Sequence, residues 1–459
     1  MMALVGSIHC GAASTTSRPL AAAARDRAGA LAPDAEDDVW LDSGSLDGGS
    51  MDGGSFDDGS LDDDGSPGGP LLESELPLPQ AAPSVALSEP ETRPRVTAYW
   101  LSAGRRFSDT LRGDWDTPSA LMVVYNSTWK RPLGRLLSIA HTDLPVYVLA
   151  TPKDARSREF TRWLRRVPFA GLVSIELDTP WIRDYGPLEV VRPRGISWLD
   201  LTYAPDDRPL DDAVPTLLGE VFEASNQREQ LPLDGGGIIS NGTGLCGITE
   251  ASFRPLGVDT SDPEQVERFL ETLGCRTLAL LPELPSESTG HVDMVAQFLA
   301  PNKVAIAVPT RRSPSEVRLA LERARQALEL AAVAHGQTLT FVELPIESRR
   351  EKYYSYVNGL RTPSHYFVPS YSNVSRKLER EVRRRLSEAL QGVQVVGVDS
   401  DDMIESGGAI HCVTLGLKHQ LVPRPLEDGP SAVSWNGSGT RLALSAGSAR
   451  PGASGRRRR

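Results

Sequence analysis

From residue 95 to about 425 the chain alternates short β-branched or aliphatic runs with amphipathic helical stretches. Repeated alternation of this kind restricts the folded part to the α/β class. Runs with strand character fall at 120–124, 146–150, 172–177, 188–191, 237–239, 292–298, 303–308, 338–343, 365–369, 393–398 and 409–415. The clearest helix follows Ser313-Pro314-Ser315-Glu316, a capping-box pattern with Pro at the first helical position. Val317, Leu321, Ala324, Leu328 and Ala331 then recur on one face, and Gly336 ends it. A second helix carries Leu378, Val382, Leu386 and Leu390 and stops at Gly392. A third follows Asp262-Pro263, carries Val266, Phe269, Leu270 and Leu273, and stops at Gly274. Asn241-Gly242-Thr243-Gly244 reads as a hairpin turn.

Residues 1–94 cannot build a core. Gly44-Ser45-Leu46-Asp47-Gly48 opens a period-five repeat with one apolar residue per unit, and 67–94 are Pro-rich. We read this stretch as a disordered acidic tether and linker. Residues 426–459, Ser/Gly/Pro-rich and ending in four arginines, read as a second disordered tail. The net charge of −11 comes from the tether: 34–64 hold twelve acidic residues and no basic one, leaving about +1 for the remainder. A near-neutral folded part argues against a nucleic-acid surface, which needs clustered basic charge. No apolar run approaches the roughly 20 residues of a membrane-spanning helix. The run 4–8 is a poor signal peptide and Cys10 a poor lipidation site, so cytoplasm and envelope both stay open. The sequence sets no oligomeric state.

The four cysteines, Cys10, Cys246, Cys275 and Cys412, contain no CxxC pair. Cys246 and Cys275 read as core residues, and nothing in their spacing demands a disulfide. Cys412 differs, because it follows Gly407-Gly408 within the run 409–415. A working thiol needs a proton acceptor or a cation beside it. On a strand His411 would point to the opposite face, so His291 is the better partner. His291 and Asp293, two apart, would share one strand face. Asp184 sits in Trp181-Ile182-Arg183-Asp184-Tyr185-Gly186-Pro187, and Asp234 opens a three-glycine run that allows close backbone approach. Each cluster has a plainer reading: a buried core thiol, a surface Arg–Asp pair, or a zinc site completed by Asp184, Asp234 or His411. His-rich metal spacing is lacking, so no metal is expected. One thiol, one imidazole and three carboxylates together suit covalent attack on a cationic guanidinium carbon.

In this order, Trp181-x-Arg183-Asp184-x-Gly186-Pro187, Asp234-Gly235-Gly236, Gly290-His291-Val292-Asp293 and Gly407-Gly408-x-Ile410-His411-Cys412 resemble the agmatine deiminase and bacterial peptidyl-arginine deiminase family of the guanidino-modifying superfamily. Tyr354-Ser355-Tyr356-Val357-Asn358, Tyr366-Phe367-Val368-Pro369 and Leu111-Arg112-Gly113-Asp114-Trp115 add to the resemblance, which covers about 95–420. It implies a five-bladed pseudo-symmetric α/β propeller with the site in its central channel. It implies that Asp184 and Asp293 grip the guanidinium, Cys412 attacks, His291 moves protons and Asp234 positions His291 or the substrate. Trp181 would line the pocket and Asn358 set the nucleophile or substrate. No cofactor is implied, and the partner is a small-molecule or peptide guanidino substrate. Tyr185 leans toward the peptidyl type. Asp234 and Gly237 depart from the Glu and Asn usual in agmatine deiminases. The shorter carboxylate motivates a second reading, an envelope-associated guanidino-binding protein without turnover.

Overall fold

The computed structural model describes residues 97–100, 108–167, 170–203, 205, 207–349, 352–419, 421 and 432–434. All of them lie in one compact unit. The expected tether, the linker and Cys10 lie outside the described residues. Of the C-terminal tail, Ala432–Ser434 is described, and it pairs antiparallel with Gly171–Ser174.

The described strands form five sheets. Each sheet contains one ββαβ unit: a first strand antiparallel to a second, then a helix that crosses over to a third strand parallel to the second. The hairpin Leu188–Arg192 and Gly195–Leu201 is followed by the helix Val214–Phe222 and the strand Asn226–Glu229. Ile238–Ser240 and Leu245–Thr249 are followed by Pro263–Leu273 and Thr277–Leu281. Ala296–Ala300 and Lys303–Pro309 are followed by Ser315–Ala334 and Thr340–Arg349. Leu360–Arg361 and His365–Ser370 are followed by Arg376–Ala389 and Gln394–Asp399. The last unit is assembled from both ends of the folded part. Its first strand, Thr414–Leu417, pairs with Ala120–Val124, which crosses over through Lys130–Ala140 to Val146–Ala150. The α/β class is as expected, with five ββαβ units among the described residues.

The helices bury the faces their periodicity marks. Val317, Leu321, Ala324, Leu328 and Ala331 are all buried, as are Val266, Phe269, Leu270 and Leu273. Each fully buried Leu or Phe adds roughly 1.5–3 kcal/mol of apolar transfer free energy. The helices are followed by Gly274, Gly336 and Gly392, each with positive φ. One helix start differs from its sequence pattern. The helix begins at Ser315, and Ser313 Oγ accepts from Thr310 N (2.9 Å) rather than capping it. Pro314 is extended (ψ 159°), which moves Ser313 too far out to reach the first turn. Among the described residues no helix is long and apolar enough to cross a membrane.

Candidate active site

Each of the five units carries at least one polar group of the cluster on the segment that enters its first strand. Asp184 lies on the helical turn Ile182–Tyr185, before Leu188–Arg192. Asp234 precedes the 3₁₀ turn Gly235–Gly237, which runs straight into Ile238–Ser240. His291 precedes and Asp293 occupies the 3₁₀ turn Val292–Met294, ahead of Ala296–Ala300. Asn358 stands two residues before Leu360–Arg361, and Cys412 two before Thr414–Leu417. The repeated topology therefore brings five entry turns together although their residues are far apart in sequence.

Two local expectations are corrected. His291 and Asp293 meet through a 3₁₀ turn, not through the shared face of a strand. His411 and Cys412 lie in a turn, because the strand begins only at Thr414. The alternation rule for strands does not apply there, and both residues approach one carboxylate. His411 Nδ1 is 2.7 Å from Asp293 Oδ2, and Cys412 Sγ is 3.7 Å from the same oxygen.

The thiol is held mainly by Asn358. Its Nδ2 donates to Cys412 Sγ (3.2 Å) and reaches Asp293 O (3.4 Å), while its Oδ1 accepts from His411 N (3.0 Å) and Cys412 N (3.4 Å). Arg183 N donates to Cys412 O (3.2 Å), tying the Asp184 turn to the Cys412 turn. Trp181 packs obliquely on Trp129, with centroids 5.0 Å apart. His291 Nε2 is 3.1 Å from Asp234 Oδ2, and His291 Nδ1 is 3.5 Å from Asp184 Oδ1. The loop ahead of His291 is fastened twice. Glu287 Oε2 accepts from Thr289 N and Gly290 N, and Thr249 Oγ1 donates to Gly290 O.

Gly236 shows how tightly these groups converge. A Cβ there would lie 2.7 Å from Asp184 Oδ1, 2.7 Å from His291 Nδ1 and 3.3 Å from Asp293 Oδ2. Only a residue without a side chain leaves that point open. At neighbouring Gly237 a Cβ would meet Ser252 Oγ at 2.8 Å, so a side chain there would have to displace Ser252. Asp184 Oδ1 and Asp293 Oδ1 are buried without a hydrogen bond in the protein, although His291 Nδ1 stands 3.5 Å from Asp184 Oδ1.

The electrostatics follow from burial and these carboxylates. Burial alone would push the His291 imidazole down. Asp184 beside it, the hydrogen bond to Asp234 and the charge of Asp293 outweigh burial and hold it up at about 10. Burial raises Asp184 to about 7, against the pull of His291. Burial would also raise Asp293, but His411, His291 and Arg183 bring it below its ordinary value. Burial and Arg183 push His411 down to about 4, so its imidazole is neutral at physiological pH. Burial, followed by the charges of Asp293 and Asp184, pushes the Cys412 thiol well above its usual range.

Cys412, His291, Asp184, Asp234, Asp293 and Asn358 therefore come together, with Trp181 on the same turn as Asp184. Sequence reasoning passed over His411 as a partner in the cluster, and only its place beside Cys412 hinted at one. Tyr185 takes no part: it is buried, and its hydroxyl donates to Thr179 O (2.8 Å), which fastens the turn. Cys246 and Cys275 are buried as expected, but they are joined in a disulfide. Among the described residues no cluster of three or more His, Cys, Asp or Glu has metal-binding geometry.

A Vibrio parahaemolyticus protein named "Putative agmatine deiminase" is 28% identical over 280 residues, covering 53% of this chain and 76% of that protein. The fold is shared with solved structures. The Enterococcus faecalis agmatine deiminase matches with TM-score 0.59 and 21% identity, over 68% of this chain and 96% of that one. A cysteine-to-serine agmatine deiminase of C. jejuni with substrate bound matches with TM-score 0.58 and 18% identity, over 68% and 97%. The family model for Porphyromonas-type peptidyl-arginine deiminases matches residues 127–417, a span that takes in all five entry turns. The chain belongs to the Porphyromonas-type peptidyl-arginine deiminase family.

Proposed function

We propose that the chain is a cysteine-dependent deiminase that hydrolyses a guanidino group to a ureido group and releases ammonia. The observation that carries this reading is the pair of buried carboxylates, Asp184 and Asp293. Each has a buried oxygen that no hydrogen bond satisfies, and they share the cluster with a thiol and a protonated imidazole. A planar cation with five N–H donors supplies both the missing bonds and the missing charge.

In the free protein the thiol is protonated, since it is buried and sits among the negative charges of Asp293 and Asp184. A bound guanidinium neutralises Asp184 and Asp293, which removes the main electrostatic reason for the thiol to keep its proton. The thiol gives its proton to solvent as the cation binds, and the Cys412 thiolate attacks the central carbon. The tetrahedral adduct collapses with cleavage of one C–N bond, and His291 gives its proton to the departing nitrogen, which leaves as ammonia. An amidino-thioether on Cys412 remains. His291, now neutral, takes a proton from water. The hydroxide adds to the same carbon, the C–S bond breaks, and the hydroxyl proton of the adduct passes to the departing sulfur, leaving the ureido product and the resting thiol. Asp234 keeps His291 oriented throughout. Its carboxylate, one methylene shorter than Glu, still lies within hydrogen-bond reach at 3.1 Å. That geometry weakens the case for a binding protein without turnover.

Two substrates fit the chemistry: peptidyl-arginine, giving peptidyl-citrulline, and agmatine, giving N-carbamoylputrescine. Tyr185 no longer separates them, being a core residue. Incubation with agmatine, an arginine-containing peptide and free arginine separately, with ammonia and ureido product measured and Cys412→Ala as control, decides the class. Product from one substrate, absent with the variant, is the expected result. A folded protein that forms no product from any of the three overturns the proposal.

A further inference from the structure

The motif Leu111-Arg112-Gly113-Asp114-Trp115 has no part in the chemistry above, yet it borders a second polar space. A cavity of about 60 Å³ lies between the first strands of all five units and is lined by Arg112, Asp114, Arg183, Glu189, Arg361 and His411. At one probe sphere of about 10–15 Å³ per water, this is room for a few waters or a small ion with water.

Its lining is positively charged. Glu189 is fully engaged: it accepts from Arg112 Nη1 (2.7 Å), Lys418 N (2.7 Å), His419 N (2.8 Å) and Trp198 Nε1 (3.3 Å). Asp114 accepts from Ser240 N (3.3 Å) and Phe298 N (3.2 Å), and burial pushes its carboxyl up to about 7, so it carries only part of a charge at neutral pH. His411 is neutral. Three guanidinium groups thus face one paired carboxylate and one partly protonated carboxylate within the lining, while Asp293 and Asp184 act on Arg183, and Asp143 on Arg361, from outside it. Two of the guanidinium groups are incompletely satisfied: Arg183 Nε and Arg361 Nη1 are buried and have no acceptor among the protein atoms. Guanidinium does not lose its proton in a protein, so burial cannot neutralise these donors. A buried cationic donor without an acceptor costs more than a neutral one.

We propose that this cavity binds a small monovalent inorganic anion of the halide class. A halide is compact enough for the space between strands and accepts from N–H donors in several directions. It adds the negative charge that the lining lacks.

The test uses the full chain. Thermal unfolding is followed in sodium chloride and in sodium gluconate at the same ionic strength, because gluconate is too large to enter. The site predicts a saturating chloride-specific rise of about 2–4 °C in the midpoint. Arg361→Gln, which removes one of the two unsatisfied donors and lies outside the catalytic cluster, should at least halve that rise. Crystals soaked in bromide should show an anomalous peak between Arg183 and Arg361. Equal midpoints in the two salts, an equal response from Arg361→Gln, or a cavity without a bromide peak would each overturn the proposal. Should the variant fail to fold, the bromide experiment on the native chain decides alone.

Discussion

In the proposed mechanism Cys412 is a nucleophile held in the wrong charge state for attack until a cation arrives. That dependence predicts which reagents will find it. At pH 7.5 a cationic haloacetamidine should inactivate at least about 10-fold faster than neutral iodoacetamide, an advantage worth ~1.4 kcal/mol, and agmatine should protect. Equal rates would mean that Asp184 and Asp293 do not act on the thiol. Cys412→Ser should lower kcat by at least about 10³-fold, because a hydroxyl at this position has no base that makes it an alkoxide; near-native turnover would end the covalent mechanism. The pH profile of kcat/KM tests the neighbours. Asp184, raised to about 7, must lose its proton to hold the guanidinium, so the rate should rise through that region. His291, raised to about 10, must keep its proton to serve the leaving group, so the rate should fall above that value. These two groups interact, so both limbs belong to the pair. A profile flat from pH 6 to 11 would contradict both assignments. The thiol, the imidazole and the carboxylates were legible in the sequence because few other chemistries need all of them. The contact between His411 and Asp293 was not, since it depends on a turn where the apolar run 409–415 suggests strand.

The ββαβ unit accounts for what could and could not be read at the level of elements. The strands 120–124 and 146–150 and the crossover helix faces were visible, whereas the second strands Gly195–Leu201 and Leu245–Thr249 did not stand out. First strands are two to five residues long and follow tight turns, so their starts were found unevenly: Leu188 was located, Ala296 and Thr414 were not. That is why 292–298 and 409–415 read as unbroken strands, when 3₁₀ and turn geometry occupies their beginnings. The turn Gly235–Gly237 gives the sharpest test of this level. Gly236→Ala would place a methyl against Asp184, His291 and Asp293 at contact distances of 2.7–3.3 Å. The side chains must give way, and a displacement that reaches about 1 Å across the cluster costs about 10²-fold in rate. We expect that loss in kcat/KM with a folded protein whose circular dichroism is unchanged. Wild-type kinetics would show that the point beside Gly236 is not where substrate binds.

At the scale of the whole molecule the decisive contacts join distant parts of the chain, and for that reason they were hidden from sequence. Thr414–Leu417 completes the sheet begun by Ala120–Val124, so the segment carrying Cys412 is positioned by the first hairpin partner of the folded part. Five separate ββαβ units were invisible as a repeat because they share a pattern of elements and no common motif. The disulfide illustrates the same limit. Cys246 lies opposite Leu278 in a parallel strand pair, and Cys275 ends the crossover between those strands. Only the topology brings the two sulfurs together, across a sequence separation of 29. This link staples the crossover of the unit that carries Asp234. Closing a loop of that length removes denatured-state entropy worth roughly 3–4 kcal/mol. A chain starting at residue 95 keeps the strand Thr97–Trp100, which pairs with Thr277–Leu281, so it should fold and turn over substrate like the full chain. In that shortened chain, denatured without reductant, one reactive thiol should be counted and not three, and urea unfolding should move to lower concentration when reductant is added. Three thiols, or a reductant-independent transition, would show that the pair is not bonded; a shortened chain that does not fold would place part of the catalytic domain before residue 95.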